Sequence, residues 1–545
     1  MATRSAGSMD RRSFVRKAGL VAAGSALGYS PMGCGATEIY RYIDCLSVVQ
    51  TPAAVAGMTY IRASQIGCAL DCDLESGLNR HTGGAATDDG PRINAAMAGA
   101  TAANPITLTI DGGALISGLF LPAGGYWSIA GLGCGTGFFI KAGTNNDGIH
   151  NGGPTAAVPS DPGPPVPARG SSVSLSNFAV NGNQGNGLKG DSTTGMPQGS
   201  TAADLFYFGI NLMNLNNITI ENVVVVNAPS YHIRLSNVGN VVVSGCVMSS
   251  SGPNTDGLHF DGPANDIAIS NCNFTTDDDG IALNCPEGHS GNISRVTVTN
   301  CTFNSYSLMR LYTISGAAPG VTHMIDTVTV TGCSGTFSLA AFLIGQSPGS
   351  APNSVTGLVV SKCNLTAAAV LDLSASFGSL SFSDVTLTPY LPYRDIGFAF
   401  ARTSSRYGWG YTGGSISIEN LVFNRNGNYP VAALILEYGA TIGQIEFNGF
   451  AVEDPPGSSY SAAPELLNIE SGSIGQLVID SLTGTHITAP VSADGFSSVA
   501  GVSGAGVLAT GWPFPDAVMA NGVPYLSAST GEPSIKVGGV VQPYP

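Results

Sequence analysis

Three aspartates carry the strongest chemical signal in the chain. Asp256 stands in Asn254-Thr255-Asp256-Gly257-Leu258-His259, and Asp277-Asp278-Asp279 lead into Gly280-Ile281-Ala282-Leu283. Asp278 and Asp279 follow Asp256 by 22 and 23 residues. In a chain that coils with about that period, both acidic groups enter equivalent strands on one face, and three carboxylates share one patch. Stacked carboxylates repel unless one is protonated or a cation sits between them. A protonated acid beside an ionised one is what glycoside hydrolysis requires: the first protonates the leaving oxygen, and the second serves water or the anomeric carbon. Asp256, Asp278 and Asp279 are therefore the candidate catalytic residues, whereas Asp277 alone reads as a turn residue.

The elements that would position them are legible as a repeat. A hexamer of the form apolar-x-apolar-polar-x-(apolar or Cys) recurs from Val173–Phe178 and Ile218–Val223 through Val241–Cys246, Ile267–Cys272, Val296–Cys301, Val328–Cys333 and Leu358–Cys363. It continues at Leu380–Val385, Ile416–Leu421, Ile445–Phe450 and Leu477–Leu482. From Ile218 to Leu380 successive starts lie 23, 26, 29, 32, 30 and 22 residues apart. Period-two alternation turns one side of each strand inward. Units of this size, with strand patterning and hardly any helical periodicity, define a solenoid of stacked strands. The expected fold is all-β: a single-stranded right-handed parallel β-helix with an N-terminal capping helix.

Cys246, Cys272, Cys301, Cys333 and Cys363 hold one repeat position and are expected to stack inside as small buried hydrophobes rather than as metal ligands. Cys68 and Cys72 are candidates for a disulfide with each other or with Cys45. Thr87–Met97 reads as a helix with an Asp at its N-cap and Pro91 in its first turn, closing the first coil. Residues 1–36 form a signal segment, 37–85 a lead-in, 86–510 the β-helix catalytic domain and 511–545 a C-terminal cap. Gly152–Gly170 and Gln184–Asp204 read as loops.

The bulk numbers narrow the class of partner. Hydrophobic residues make up 43% and charged residues 10%, against about 25% charged in an average soluble protein. The net charge of −15 leaves nothing to neutralise a row of phosphates, so nucleic acid is excluded as a partner. Asp10-Arg11-Arg12-Ser13-Phe14 before a mild apolar run from Ala18 to Leu27 reads as a Tat export signal, with a periplasmic or extracellular destination. No segment carries the ~20 apolar residues of a membrane span. The expected partner is a polysaccharide or oligosaccharide, with no cofactor and no metal; oligomeric state is open.

The chain resembles glycoside hydrolase family 28, the polygalacturonase family of the pectate-lyase-like superfamily. Its Asn-Thr-Asp-Gly matches residues 254–257, and its Asp-Asp-Cys-Ile-Ala matches Asp278–Ala282 with Gly280 in place of Cys. Thr87–Met97 and Pro229–Ile233 also resemble family segments. The resemblance covers residues 85–340 and implies an inverting hydrolase, with Asp278 as general acid and Asp256 and Asp279 positioning the attacking water. Two family motifs are altered. Gly288-His289-Ser290 looks like the family's Gly-His-Gly but comes too soon, so His289 reads as a loop residue; the equivalent register falls near Tyr306-Ser307. The Arg-x-Lys that recognises the sugar carboxylate has no counterpart at Leu339–Gly345, and Arg310-Leu311-Tyr312 keeps only an arginine, one coil early.

Arg234, His259 and Arg310 alternate outward on coils flanking Ala282 and are the expected substrate contacts; Tyr231 and Tyr306 are candidates to stack on sugar rings. Two other functions remain open on the same fold. A polysaccharide lyase would use the aspartates for Ca²⁺ and Arg310 as base, and a glycan-binding protein would not need the aspartates' chemistry at all.

Overall fold

The computed structural model describes residues 57–545 except 134, 145, 153–165, 186–207, 286–290, 314–322, 347–353, 391–397, 405–409, 428–430, 459, 461–463, 485–486 and 488–498. The signal segment, Cys45, His289 and most of the two long loops thus lie outside the described residues. The rest is a right-handed parallel β-helix whose strands pair in parallel from coil to coil in one continuous sheet. Among the described residues no helix is long and apolar enough to cross a membrane.

The hexamers stack in strict register. Val173, Ile218, Val241, Ile267, Val296, Val328, Leu358, Leu380, Ile416, Ile445 and Leu477 pair one above the next. The same column runs back through Trp127 and Ile106 to Thr59, and on to Val502. Parallel pairing therefore begins well before Val173. The fifth hexamer position explains its own composition. Asn177, Asn222, Gly245, Asn271, Asn300, Gly332, Asn420 and Gly449 all turn the chain there with φ between +50° and +93°. That region is closed to most side chains but open to Gly and tolerated by Asn.

The interior is a ladder of like residues. Cys246, Cys272, Cys301, Cys333 and Cys363 are all buried free thiols, and the backbone N–H of Cys272 points at Cys301 Sγ, 3.4 Å away. The hydrogen bond with a neighbouring thiol, and then burial, push the Cys301 and Cys333 thiols up to about 12, so neither is a nucleophile at neutral pH. Cys68 and Cys72 are not joined to each other, and Cys45, the other partner considered, lies outside the described residues. Both are free and buried, Cys72 donating its thiol to the Asp73 carbonyl.

The helix spans Gly90–Met97 and buries Ile93 and Met97 against the first coils. As expected, an Asp, Asp89, occupies the N-cap, but its carboxylate makes no capping bond to the helix. It is claimed instead by the backbone N–H groups of Ala69 and Leu70, at 2.7 and 2.9 Å. Asn94 ties the helix to the strand edge, donating to Gly118 O and accepting from Phe120 N–H. At the other end, Pro513–Phe514, Pro524–Ser527, Pro533–Val537 and Val540–Pro543 form a separate four-stranded sheet.

Candidate active site

The site lies on strands Ile210–Glu221, Ile233–Ser244, Leu258–Ser270, Asp279–Cys285 and Ser307–Thr313. Their apolar positions Ile210, Ile233, Leu258, Ile281 and Met309 form one inward column. That column fixes the outward neighbours: Asn211, Arg234, His259, Ala282 and Arg310 stand in line along the outer wall. Gly257 N–H donates to Asp279 O across the bend before the strands, so Asp256 and Asp279 sit on successive rungs.

Asp256, Asp278 and Asp279 come together, each offering a carboxylate oxygen within 4.8 Å of the others'. Asp256 and Asp279 are buried, and Asp278 is half-buried. Asp278 accepts the Asn254 N–H at 3.1 Å through Oδ2. Asp279 accepts the Ser307 hydroxyl at 2.7 Å through Oδ1, while its Oδ2 has no hydrogen-bond donor among the described residues and lies 3.8 Å from Arg310 Nη1. Burial, with the charges of Asp278 and Asp256, pushes the Asp279 carboxyl up to about 7 against the pull of Arg310 and Ser307. Asp256 is raised as well, by burial and by Asp278, with His259 opposing. The trio therefore holds a proton around neutral pH. Asp277 behaves as a turn residue: exposed, it accepts the Gly252 N–H.

The outward-facing residues are less exposed than their register suggests. Arg234 is buried in an ion pair with Asp261, so it is not the open substrate contact expected of it. His259 is corrected in the same way. Its Nδ1 meets Asp256 Oδ2 at 2.6 Å and its Nε2 meets Asp261 Oδ1 at 3.1 Å, so both ring nitrogens are spent on carboxylates. Only the imidazolium donates to both. Tyr231 is also corrected: His259 stacks on its ring at 3.8 Å and Phe208 at 5.3 Å, from the neighbouring rungs. No face is left for a sugar. Tyr306, half-buried one coil beyond Asp278, packs against Leu339, Ala340, Leu343 and Ala369. Arg310 stays beside the trio, its guanidinium 4.3 Å from the Tyr312 ring centre.

Three supporting residues were not picked out by the sequence reading. Asp261 lies two residues after His259 on the same face, so strand alternation alone would have found it. Ser307 lies where the register-equivalent position was placed. His232, wholly buried, holds the Asp256 carbonyl at 2.9 Å through Nδ1 and the Ser250 hydroxyl at 2.8 Å through Nε2. Burial lowers it to about 4, so it is a neutral brace for the Asp256 backbone.

Gly280 departs from the family's cysteine for a packing reason. A Cβ there would lie 2.6 Å from Phe303 Cδ1, and Phe303 cannot swing away because it stacks on Phe274 at 4.7 Å. Gly280→Cys is expected to destabilise the protein by about 1–3 kcal/mol through overpacking, read as a lowered denaturation midpoint. An unchanged midpoint would show that the ring pair relaxes freely.

The fold and site together define a parallel β-helix with a cluster of three carboxylates on its outer wall. Residues 151–306 match the model of glycosyl hydrolases family 28. The matched segment holds Asp256, Asp278 and Asp279 and supports a glycoside hydrolase. No curated protein sequence matches the chain. Among solved structures it is similar to an exopolygalacturonase from Thermotoga maritima, at 13% identity and a TM-score of 0.46, over 71% of this chain and 96% of that one. It is also similar to the catalytic unit of a GH87 α-1,3-glucanase from Streptomyces thermodiastaticus, at 13% identity and 0.48, over 81% and 71%. A third likeness is to PfbA, a surface adhesin of Streptococcus pneumoniae, at 14% identity and 0.46, over 89% and 98%.

Proposed function

We propose that this protein is an exported glycoside hydrolase that cleaves a polysaccharide with the Asp256–Asp278–Asp279 cluster. The observation that carries the reading is the cluster itself: three carboxylates within 4.8 Å on one wall, two of them buried, with burial and the neighbouring charges pushing Asp279 up to about 7. Asp278, the member that reaches solvent, takes the general-acid role that the family resemblance implies and protonates the leaving oxygen. Asp256, gripped by His259, and Asp279, gripped by Ser307, hold the attacking water.

Inversion of the anomeric centre is part of the proposal and rests on the family resemblance. Carboxylates this close are nearer the ~5–5.5 Å of retaining pairs than the ~6.5–9.5 Å of most inverting ones. The configuration of the first-formed product, read by proton NMR, decides between them: the inverted anomer is expected, and the retained one would instead require a covalent intermediate on one aspartate. Uronate recognition is not part of the proposal, because the Arg-x-Lys pair is missing and Arg234 is already paired.

The experiment that tests the function is incubation with a panel of neutral and uronic-acid polysaccharides. New reducing ends without unsaturated-uronate absorbance, unaffected by a chelator, are the expected result. Absorbance in that band that disappears with the chelator would identify a lyase using the trio for Ca²⁺.

A further inference from the structure

The Asp256–His259 arrangement occurs twice. Asp147-Gly148-Ile149-His150 repeats the pattern Asp256-Gly257-Leu258-His259, and it stands in the same columns of the helix. Ile149 pairs with Ile210, Ile210 with Ile233 and Ile233 with Leu258, so His150 lies in line with Asn211, Arg234 and His259. The bond within the pair is also repeated: His150 Nδ1 meets Asp147 Oδ2 at 2.7 Å. Three coil steps of ~4.8 Å separate the two histidines, about 14 Å along the axis.

One difference is informative. At His259 the second ring nitrogen is taken by Asp261, two residues on; the position two residues after His150 is Gly152, which offers no side chain. His150 is 4% exposed, and its Nε2 has no hydrogen-bond partner among the described residues. A buried ring nitrogen left unpaired is destabilising, a cost that a bound group would remove. The proposed catalytic residues Asp256 and Asp279 are set as deeply, at 3% and 1% exposed.

The second pair is joined to the first by an unbroken polar chain. Asp147 Oδ2 accepts Asn211 Nδ2–H at 2.8 Å, and Asn211 Oδ1 accepts Arg234 Nη1–H at 3.3 Å. Arg234 pairs with Asp261, which holds His259, which holds Asp256. The pairing favours a neutral ligand: Arg234 is paired with Asp261 and Asp147 with His150, so neither pair offers an open cation to an anionic group.

We infer that His150 and Asp147 form a remote subsite that binds a hydroxyl of a neutral sugar residue through His150 Nε2, about three coils from the catalytic cluster. The inference rests on the hydrolase reading for the polymer's nature, but on its own geometry for the position. It requires the chain to lie along the helix axis, and the subsite falls outside the residues 151–306 that match the family.

The test uses the full chain carrying Asp278→Asn, so that bound glycan is not cut, with and without His150→Ala. Binding is screened by gel retardation with polygalacturonate, xylan, dextran and a β-1,3-glucan, then titrated with two- to eight-unit fragments of the polymer that retards. Expected is an affinity about tenfold weaker for the longest fragments, the loss of roughly one hydrogen bond, and equal affinity for the disaccharide. Equal affinity at every length, or an equal loss at every length, overturns the subsite while leaving the hydrolase reading intact. A parent that binds none of the polymers sinks both. Should His150→Ala fail to fold, His150→Gln, which fills the space and still donates to Asp147, reads the same length dependence.

Discussion

Asp279→Asn is expected to make the protein more stable at pH 8 while abolishing hydrolysis. The wild-type carboxyl is raised from the ordinary 3.8 to about 7, chiefly by burial and then by Asp278 and Asp256. A group raised in the folded state binds its proton more tightly there than in the unfolded chain. Its penalty on stability is absent below pH ~4, grows as pH climbs towards 7 and is complete above that. A rise of this size corresponds to on the order of 4 kcal/mol. Asparagine keeps an Oδ1 for the Ser307 hydroxyl and turns the unbonded Oδ2 into a donor facing two carboxylates. Denaturant titrations of both proteins at pH 4 and pH 8 provide the measurement. The variant should gain at pH 8 and show little difference at pH 4. A variant that is less stable at pH 8 would mean that Asp279 is an ordinary ionised carboxylate and that the trio holds no proton.

The second large effect is expected at Asp261. Its carboxylate is fully buried between the Arg234 guanidinium and His259 Nε2. Asp261→Ala strands Arg234, which is 1% exposed and, among the described residues, keeps the Asn211 amide oxygen, Met213 sulfur and the Phe208 ring near it. Removing one partner of a buried ion pair costs about 3–5 kcal/mol. Most of that loss should return in the double variant Asp261→Ala/Arg234→Met, because no unpaired charge then remains. Activity should not return, since His259 has lost the bond that orients it towards Asp256. A double variant that recovers both stability and activity would reduce Asp261 to a structural counter-ion.

These residues show what a sequence can disclose here. The hexamers revealed the coil because each carries its own alternation and bend, and every one of them stacks in register. The earlier coils fall within the expected 86–510 helix but show no full hexamer, for a local reason. Ile106-Thr107-Leu108-Thr109-Ile110 alternates as the others do, but Asp111 follows where they place an apolar residue or Cys. The three aspartates were legible because their spacing matches one coil. Alternation also placed Arg234 and His259 on the outer side of their strands, and the register agrees. Alternation says nothing of what lies over that side. Asp261 and Tyr231, contributed by the same two strands' neighbourhoods, cover and spend groups that would otherwise face substrate. Disulfide pairing at Cys68 and Cys72 was equally out of reach, because proximity of two cysteines in sequence carries no information on their side-chain directions.

The central claim is that Asp278 delivers the proton, and the most direct test compares wild type with Asp278→Asn on the polysaccharide that the panel identifies, by initial rates of reducing-end release. Loss of a general acid is expected to lower the rate by about 10²–10⁴-fold, with denaturation midpoints showing that the variant remains folded. A folded Asp278→Asn protein that hydrolyses at the wild-type rate would contradict the account and move the acid's role away from this residue.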